Sequence, residues 1–257
     1  GKDIVTPETI ARVAGLFREH GSNIWFDKEA DELVPEGLVC PVCGHRHFTK
    51  ESDIMDVWFD SGSTWAAVAE EREQLHYPAE VYLEGGDQYR GWFQSSMLTS
   101  IAVNGVAPYK QIITHGWTVD GEGKAMHKSL GNAIGPEEVI KDFGADLLRL
   151  WVASADYTQD MRISDNIMKQ LSQAYLKIRN TAKYMLGNLE GFDPDTDQVP
   201  YGELMELDRY ALHRFNELAK AVQEGYEHYE FHAVYRAVYN FCVVEMSNFY
   251  LDIIKDR

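Results

Sequence analysis

The hydrophobic positions of this chain follow two different rules on either side of Gly144. Before it, short apolar runs alternate with longer segments of helical character. Val81–Leu83 predicts a strand, Gly91–Asn104 a helix and Gln111–His115 a second strand. Strands separated by a helix of that length make a β-α-β unit with a parallel sheet. After Gly144, apolar residues recur at three- and four-residue spacing: Leu147, Leu148 and Trp151, then Ile167, Leu171, Ala174, Ile178, Ala182, Met185 and Leu189. A Gly-, Pro- and Asp-rich connector over 190–204 precedes two more helices. Leu212, Phe215, Ala219, Val222 and Tyr226 mark the first; Phe231, Val234, Val238, Phe241, Met246 and Phe249 mark the second. At the other end, Thr6 as cap and Pro7 at the first helical position open a helix over 7–20, with Ile10, Val13, Ala14 and Phe17 on its apolar face. Residues 28–52 are charged and rich in turn formers, which predicts a small irregular subdomain, and the core resumes at Ile54. The fold class is α/β plus all-α.

A parallel sheet directs attention to the carboxyl ends of its strands, where ligands of such folds sit. Glu84 and His115 lie at those ends. The first strand runs into Glu84-Gly85-Gly86-Asp87-Gln88, which puts carboxylates, an amide and bare backbone at one spot. Two glycines let a ligand approach the backbone, and the flanking carboxylates can accept ribose hydroxyls. The alternative is a tight glycine turn with solvated acids. His115-Gly116 ends the second strand, where a structurally satisfied histidine is the other reading. Trp58 and Trp92 are large apolar groups that suit either a core or a ligand pocket. Lys124-Ala125-Met126-His127-Lys128-Ser129-Leu130-Gly131-Asn132 predicts a mobile cationic loop of the kind that holds phosphates, or else a solvated Gly-Lys loop.

Cys40-Pro41-Val42-Cys43-Gly44 has the turn-making glycine of a zinc knuckle, and His45 and His47 could add ligands, although two cysteines are half a site. Unoccupied thiols and a thioredoxin-like redox pair are the alternatives. Three cysteines are too few for a disulfide framework. No apolar run approaches the roughly 18 residues needed to cross a bilayer and there is no signal-like N-terminus, which predicts a cytoplasmic protein with no membrane partner. The net charge of −17 argues against non-specific DNA binding, though a local basic surface can still attract RNA.

Asp56-Val57-Trp58-Phe59-Asp60-Ser61-Gly62, Tyr82–Phe93 and the lysine loop together resemble the bacterial isoleucyl branch of the class I aminoacyl-tRNA synthetases. The resemblance covers essentially the whole chain and is most specific over 56–189. It implies the second half of a Rossmann-type nucleotide-binding domain followed by a helical bundle. The implied layout is a return segment from the editing insertion with the Cys-x-x-Cys knuckle (1–52) and the catalytic half-domain with the lysine loop (53–143). A helical linker or tRNA stem-contact region (144–190) and the start of an anticodon-binding domain (191–257) follow. The implied activity is isoleucine-tRNA ligase, with ATP and Mg2+, isoleucine and tRNA(Ile) as partners and Zn2+ at the knuckle.

By the same resemblance, Glu84, Gly85 and Asp87 contact the adenylate and Gln88 the amino acid, while His115 and Gly116 lie beside the adenylate. Trp58 and Trp92 line the isoleucine side-chain pocket. Lys128 and Ser129 belong to the Lys-Met-Ser-Lys-Ser loop, in which Ala125 replaces the first lysine and His127 the serine; Lys128 neutralises triphosphate charge, and Lys124 partly replaces the missing lysine. The His-x-Gly-His signature of the class occurs nowhere among the nine histidines. The chain is therefore expected to be an excised segment, inactive alone. A non-catalytic synthetase-derived module that binds RNA or protein, and a valyl or leucyl enzyme, are the competing readings.

Overall fold

A computed structural model describes residues 3–256, and the chain divides into two compact units, Gly1–Asp60 and Ser61–Arg257. In the first unit, α1 (Pro7–His20) starts where Thr6 and Thr9 cap each other. The Thr6 hydroxyl accepts from the Thr9 N–H at 3.2 Å, and the Thr9 hydroxyl accepts from the Thr6 N–H at 2.9 Å. Gly21, at φ 79°, ends the helix. Its inward stripe is Thr9 and Leu16, both buried, with Val13 and Phe17 half-buried beside them; Ile10 and Ala14, expected inside, are exposed. The helix is rotated because Leu16 closes on Ile24 of α2 (Ile24–Asp27) and Leu33 of α3 (Ala30–Leu33). Residues 34–56 carry no helix or strand, in keeping with the irregular subdomain read from composition. Ile54 is 89% exposed, so no core resumes there. α4 (Val57–Gly62) closes the stretch.

In the second unit a wide π-helical turn, Trp65–Glu70, precedes β1 (Ala79–Gly85). α5 (Trp92–Asn104) and β2 (Tyr109–His115) complete the expected β-α-β unit, with the strands parallel and in register from Ala79 opposite Tyr109 to Gly85 opposite His115. An aromatic layer covers the sheet: Tyr82 stacks on Trp92 at 4.2 Å and 8° and meets Tyr109 at 4.7 Å. β3 (Thr118–Val119) leads to α6 (Pro136–Phe143) and α7 (Ala145–Ser154), and then pairs in parallel with β4 (Met161–Arg162). α8 (Asp165–Gly187) begins where the Ser164 hydroxyl accepts from the Ile167 N–H. Val139, Leu147, Trp151, Ile163, Met168 and Leu171 form the core between these helices, while Met185 and Leu189, expected on the packed stripe, are exposed.

α9 (Glu206–Glu227) and α10 (Phe231–Asn240) pack together, and the chain continues through a π-helical stretch, Phe241–Tyr250, into α11 (Leu251–Ile254). The inward stripe of α9 is Ala211, Arg214, Leu218, Val222 and Gly225; Leu212, Phe215, Ala219 and Tyr226 face out, contrary to the sequence reading. The physical reason is the polar member of the stripe. The terminal nitrogens of the Arg214 guanidinium bond Glu245 at 2.9 Å and Glu217, while its buried Nε has no partner among the described residues, and Gly225 leaves room for Val234, whose methyl would lie 2.6 Å from a Cβ there. Thr181 of α8, itself buried, donates to the Cys242 carbonyl (3.3 Å) in the widened turn and bonds the Ser247 hydroxyl (2.9 Å). The turn between α9 and α10 is forced: Tyr229 sits at φ 57°, a conformation that costs an L-residue about 1–2 kcal/mol.

Candidate functional site

β1 and β2 stop at the same level, which brings Glu84, Gly85 and His115 side by side. The Glu84 carboxylate accepts from the Gly85 N–H at 3.1 Å and stands 3.7 Å from His115 Nε2. His115 Nδ1 is 2.8 Å from the Gly116 carbonyl, which only accepts, so Nδ1 carries a proton and Nε2 is turned toward Glu84. A single 3-10 turn, Gly86–Arg90, then brings Asp87 back over the strand end. A Cβ on Gly85 would lie 2.7 Å from Asp87 Oδ1 and 3.7 Å from His115 Cε1. Glycine is therefore what lets the Asp87 carboxylate and the imidazole close on one bare stretch of backbone.

Gln88 has a local task as well. Its side-chain carbonyl accepts from the Trp92 N–H at 2.9 Å and caps α5, which fixes the amide and leaves its NH2 end to Asp87 at 3.4 Å or to a ligand. One face of the Trp92 indole is covered by Tyr82, and its N–H donates to the Ser61 carbonyl at 3.0 Å. Trp58 belongs to the first unit, is 45% exposed, and has its backbone N–H held by Asp56 at 2.7 Å. Gly116 is tied by its N–H to the Tyr157 carbonyl at 2.9 Å, and the backbone of Gln159 and Asp160 runs across its Cα, so its lack of a side chain serves packing within the chain.

The lysine loop is more ordered than its composition suggests. Asp120, which the sequence reading passed over, accepts from the N–H groups of Glu122 (3.0 Å) and Lys124 (2.9 Å) and from the Asn132 amide (2.9 Å). The Asn132 amide beside it, then the Lys124 N–H, hold its carboxyl below the ordinary range. Asn132 also accepts from the His127 N–H, so both ends of the 125–132 segment are pinned to one hub. The Asp-Gly pair at 120–121 was the available signal, since aspartate organises such turns. Met126 packs on the helical core, whereas Lys128 and Ser129 are exposed, and among the described residues the Lys128 ammonium has no ion pair. Lys124 pairs with Glu122 at 2.7 Å.

Cys40 and Cys43 make a tight knuckle, with Gly44 at φ 71° and its N–H on the Cys40 carbonyl at 2.9 Å. The N–H groups of Cys43 and Val42, with the Cys43 thiol, push the Cys40 pKa down. Tetrahedral zinc takes four ligands. His47 is engaged with Asp31 at 3.0 Å, and among the described residues no group of three or more His, Cys, Asp or Glu could hold a metal, so the residues present do not complete a zinc site.

A parallel β-α-β unit followed by a helical bundle agrees with the relatives of the chain. The family model of class I tRNA synthetases (I, L, M and V) matches residues 1–164, and that of the anticodon-binding domain of tRNA ligase matches 208–257. The chain belongs to the class I tRNA synthetases. Within that family it is 58% identical over 257 residues to the isoleucine--tRNA ligase of Caldanaerobacter subterraneus subsp. tengcongensis and 57% identical to that of Syntrophotalea carbinolica. In each case it is covered completely and spans 28% of the relative. Among solved structures it resembles the Agrobacterium radiobacter K84 LeuRS-tRNA-LeuAMS ternary complex, with TM-score 0.65, 20% identity, and 82% of this chain and 29% of that one covered. Mycobacterium tuberculosis methionyl-tRNA synthetase in complex with methionyl-adenylate gives TM-score 0.59 and 20% identity, covering 77% of this chain and 40% of that one. These two likenesses concern the fold. No helix among the described residues is long and apolar enough to cross a membrane.

Proposed function

We propose that the chain is the part of an isoleucine-tRNA ligase that holds isoleucyl-adenylate from one side and leads into the tRNA-binding helices. The parent joins isoleucine to ATP, which enters as its magnesium complex, with release of pyrophosphate, and passes the acyl group to tRNA(Ile). The observation that carries this reading is the convergence of Glu84, Asp87 and His115 on the bare backbone of Gly85. Carboxylates there can accept ribose hydroxyls, and the fixed amide of Gln88 can donate toward the amino acid. Trp92 supplies apolar wall to the isoleucine side chain, a role that the family resemblance also assigns to Trp58. Catalysis of this kind is positioning and charge stabilisation, with no covalent enzyme intermediate.

Lys128, exposed and without an ion pair among the described residues, meets the triphosphate, with Ser129 beside it. Lys124 reaches the same charge only by leaving Glu122. We assign 53–143 to catalysis, 144–190 to the tRNA stem contact, 191–257 to the anticodon-binding helices and 1–52 to the return from the editing insertion. Zinc on Cys40 and Cys43 requires two further donors from elsewhere in the parent. Work on tRNA puts the protein in the cytoplasm.

The test is isoleucine-dependent ATP–pyrophosphate exchange by the full-length protein. Lys128→Ala should lower the rate by about 1–4 kcal/mol of transition-state stabilisation, roughly 5- to 1,000-fold. An exchange rate unchanged in Lys128→Ala would remove Lys128 from the reaction; exchange that depends on valine or leucine instead of isoleucine would reassign the substrate.

A further inference from the structure

The segment Asp156–Asp160 touches both the strand end and the helical bundle. On one side the Tyr157 carbonyl accepts from the Gly116 N–H at 2.9 Å, directly after His115. Gln159 and Asp160 lie against the Cα of Gly116, and the Asp160 carboxylate accepts from the Trp117 N–H at 2.8 Å. On the other side the Tyr157 hydroxyl donates to the Tyr229 carbonyl at 2.9 Å, and its ring lies 6.0 Å from Phe231. Tyr226 and Tyr229 complete the cluster around Phe231, at 5.6 and 6.4 Å. Asp156 braces the loop from within by accepting from the Thr158 N–H and hydroxyl.

Tyr229 is the one non-glycine described residue with positive φ. A bulky residue keeps such a backbone only where its surroundings over-determine it. Here the surroundings are the Tyr157 hydroxyl, the Phe231 ring cluster and the Glu230 N–H on the Gly225 carbonyl at 2.7 Å. The Tyr229 peptide lies in the turn that joins α9 to α10, so a ligand that shifted one helix against the other would strain it. Tyr157 is the residue that both holds that peptide and hydrogen-bonds the strand end.

We propose that Tyr157 is a positioning residue that couples the α9–α10 turn to the His115–Gly116 strand end, so that RNA seated on the helical bundle changes how tightly the β1–β2 site holds its adenylate. The inference rests on the function proposed above and adds to it a coupling between its two binding events. Such coupling is reciprocal and commonly amounts to a factor of about 5 or more in affinity.

The experiment uses the full-length protein and a non-hydrolysable isoleucyl-adenylate analogue, titrated calorimetrically with and without a tRNA(Ile) transcript. The wild type should show affinities that differ about fivefold or more between the two conditions. Tyr157→Phe keeps the ring and removes only the hydroxyl. It should bind the analogue alone as the wild type does, yet lose the difference made by tRNA. Tyr226→Phe, in the same aromatic cluster, should retain it. An unchanged tRNA effect in Tyr157→Phe, or no tRNA effect in the wild type, overturns the coupling. A wild type that binds no analogue overturns the functional reading beneath it.

Discussion

Replacing Gly116 by alanine adds one methyl group at a place where only backbone is available to move. The ideal Cβ would lie 2.7 Å from the Asp160 nitrogen and closer still to the Gln159 carbonyl, against an ordinary contact of about 3.5–4.0 Å. That backbone is itself fixed by the Met161 N–H on the Trp117 carbonyl (2.8 Å), by Asp160 on the Trp117 N–H, and by the pairing of β3 with β4. Relief therefore requires loss of the Gly116–Tyr157 bond or of the β3–β4 ladder. Overpacking costs roughly 1–3 kcal/mol, and a lost hydrogen bond adds about 1. At 2–4 °C per kcal/mol for a unit of this size, the midpoint should fall by roughly 5–15 °C. Gly85→Ala is the control: its Cβ would meet Asp87 Oδ1, the free end of a side chain that can swing away, so its midpoint should move by only about 1–3 °C. Thermal unfolding of the 257-residue chain, followed by circular dichroism, reads both. A Gly116→Ala midpoint within a degree or two of wild type, or an equal fall in Gly85→Ala, would refute the crossing of 159–160 over the strand end.

Three further outcomes follow from the geometry. Because backbone N–H groups lower the Cys40 pKa and burial raises that of Cys242, iodoacetamide should label Cys40 first as pH rises and Cys242 only after unfolding; the reverse order by peptide mapping would contradict this. Asp120 has its folded pKa depressed below 3.8, so its hold on the loop is complete above that value and fades as pH falls through the lower folded pKa. Amide exchange at Glu122 and Lys124, corrected for intrinsic rates, should stay protected down to about pH 4 in the wild type and be unprotected in Asp120→Ala. Thr181→Val removes the hydroxyl that bonds the Cys242 carbonyl and the Ser247 hydroxyl and should cost about 1–3 kcal/mol in urea denaturation, whereas Thr181→Ser should cost less; equal losses would assign the effect to packing.

The parallel β-α-β unit was legible because Val81–Leu83, the 91–104 helix and Gln111–His115 obey distinct periods with glycines between them. Helix faces were less so. In α1 and α9 the apolar residues form a stripe next to the one that is buried, and packing chose the stripe containing Thr9 in one and Arg214 in the other. Polar residues qualify for such positions when their partners are inside too: Ile4 and Thr6 for Thr9, Glu245 for Arg214. Glu84, Gly85, Asp87 and His115 could be nominated from strand ends and glycines. The roles of Asp120 and Tyr157 could not, because each depends on partners far along the chain or on a turn whose other end is Asn132. The π-helical stretches likewise carry no periodic signal.

The central claim is that the Gly85 strand end holds an adenylate. Its most direct test is calorimetric titration of the isoleucyl-adenylate analogue into the full-length protein and its Asp87→Ala variant. A hydrogen bond to a charged group is worth about 1.5–3 kcal/mol, so the variant should bind roughly 10- to 150-fold more weakly with the fold intact. Equal affinity in the two proteins would contradict the account.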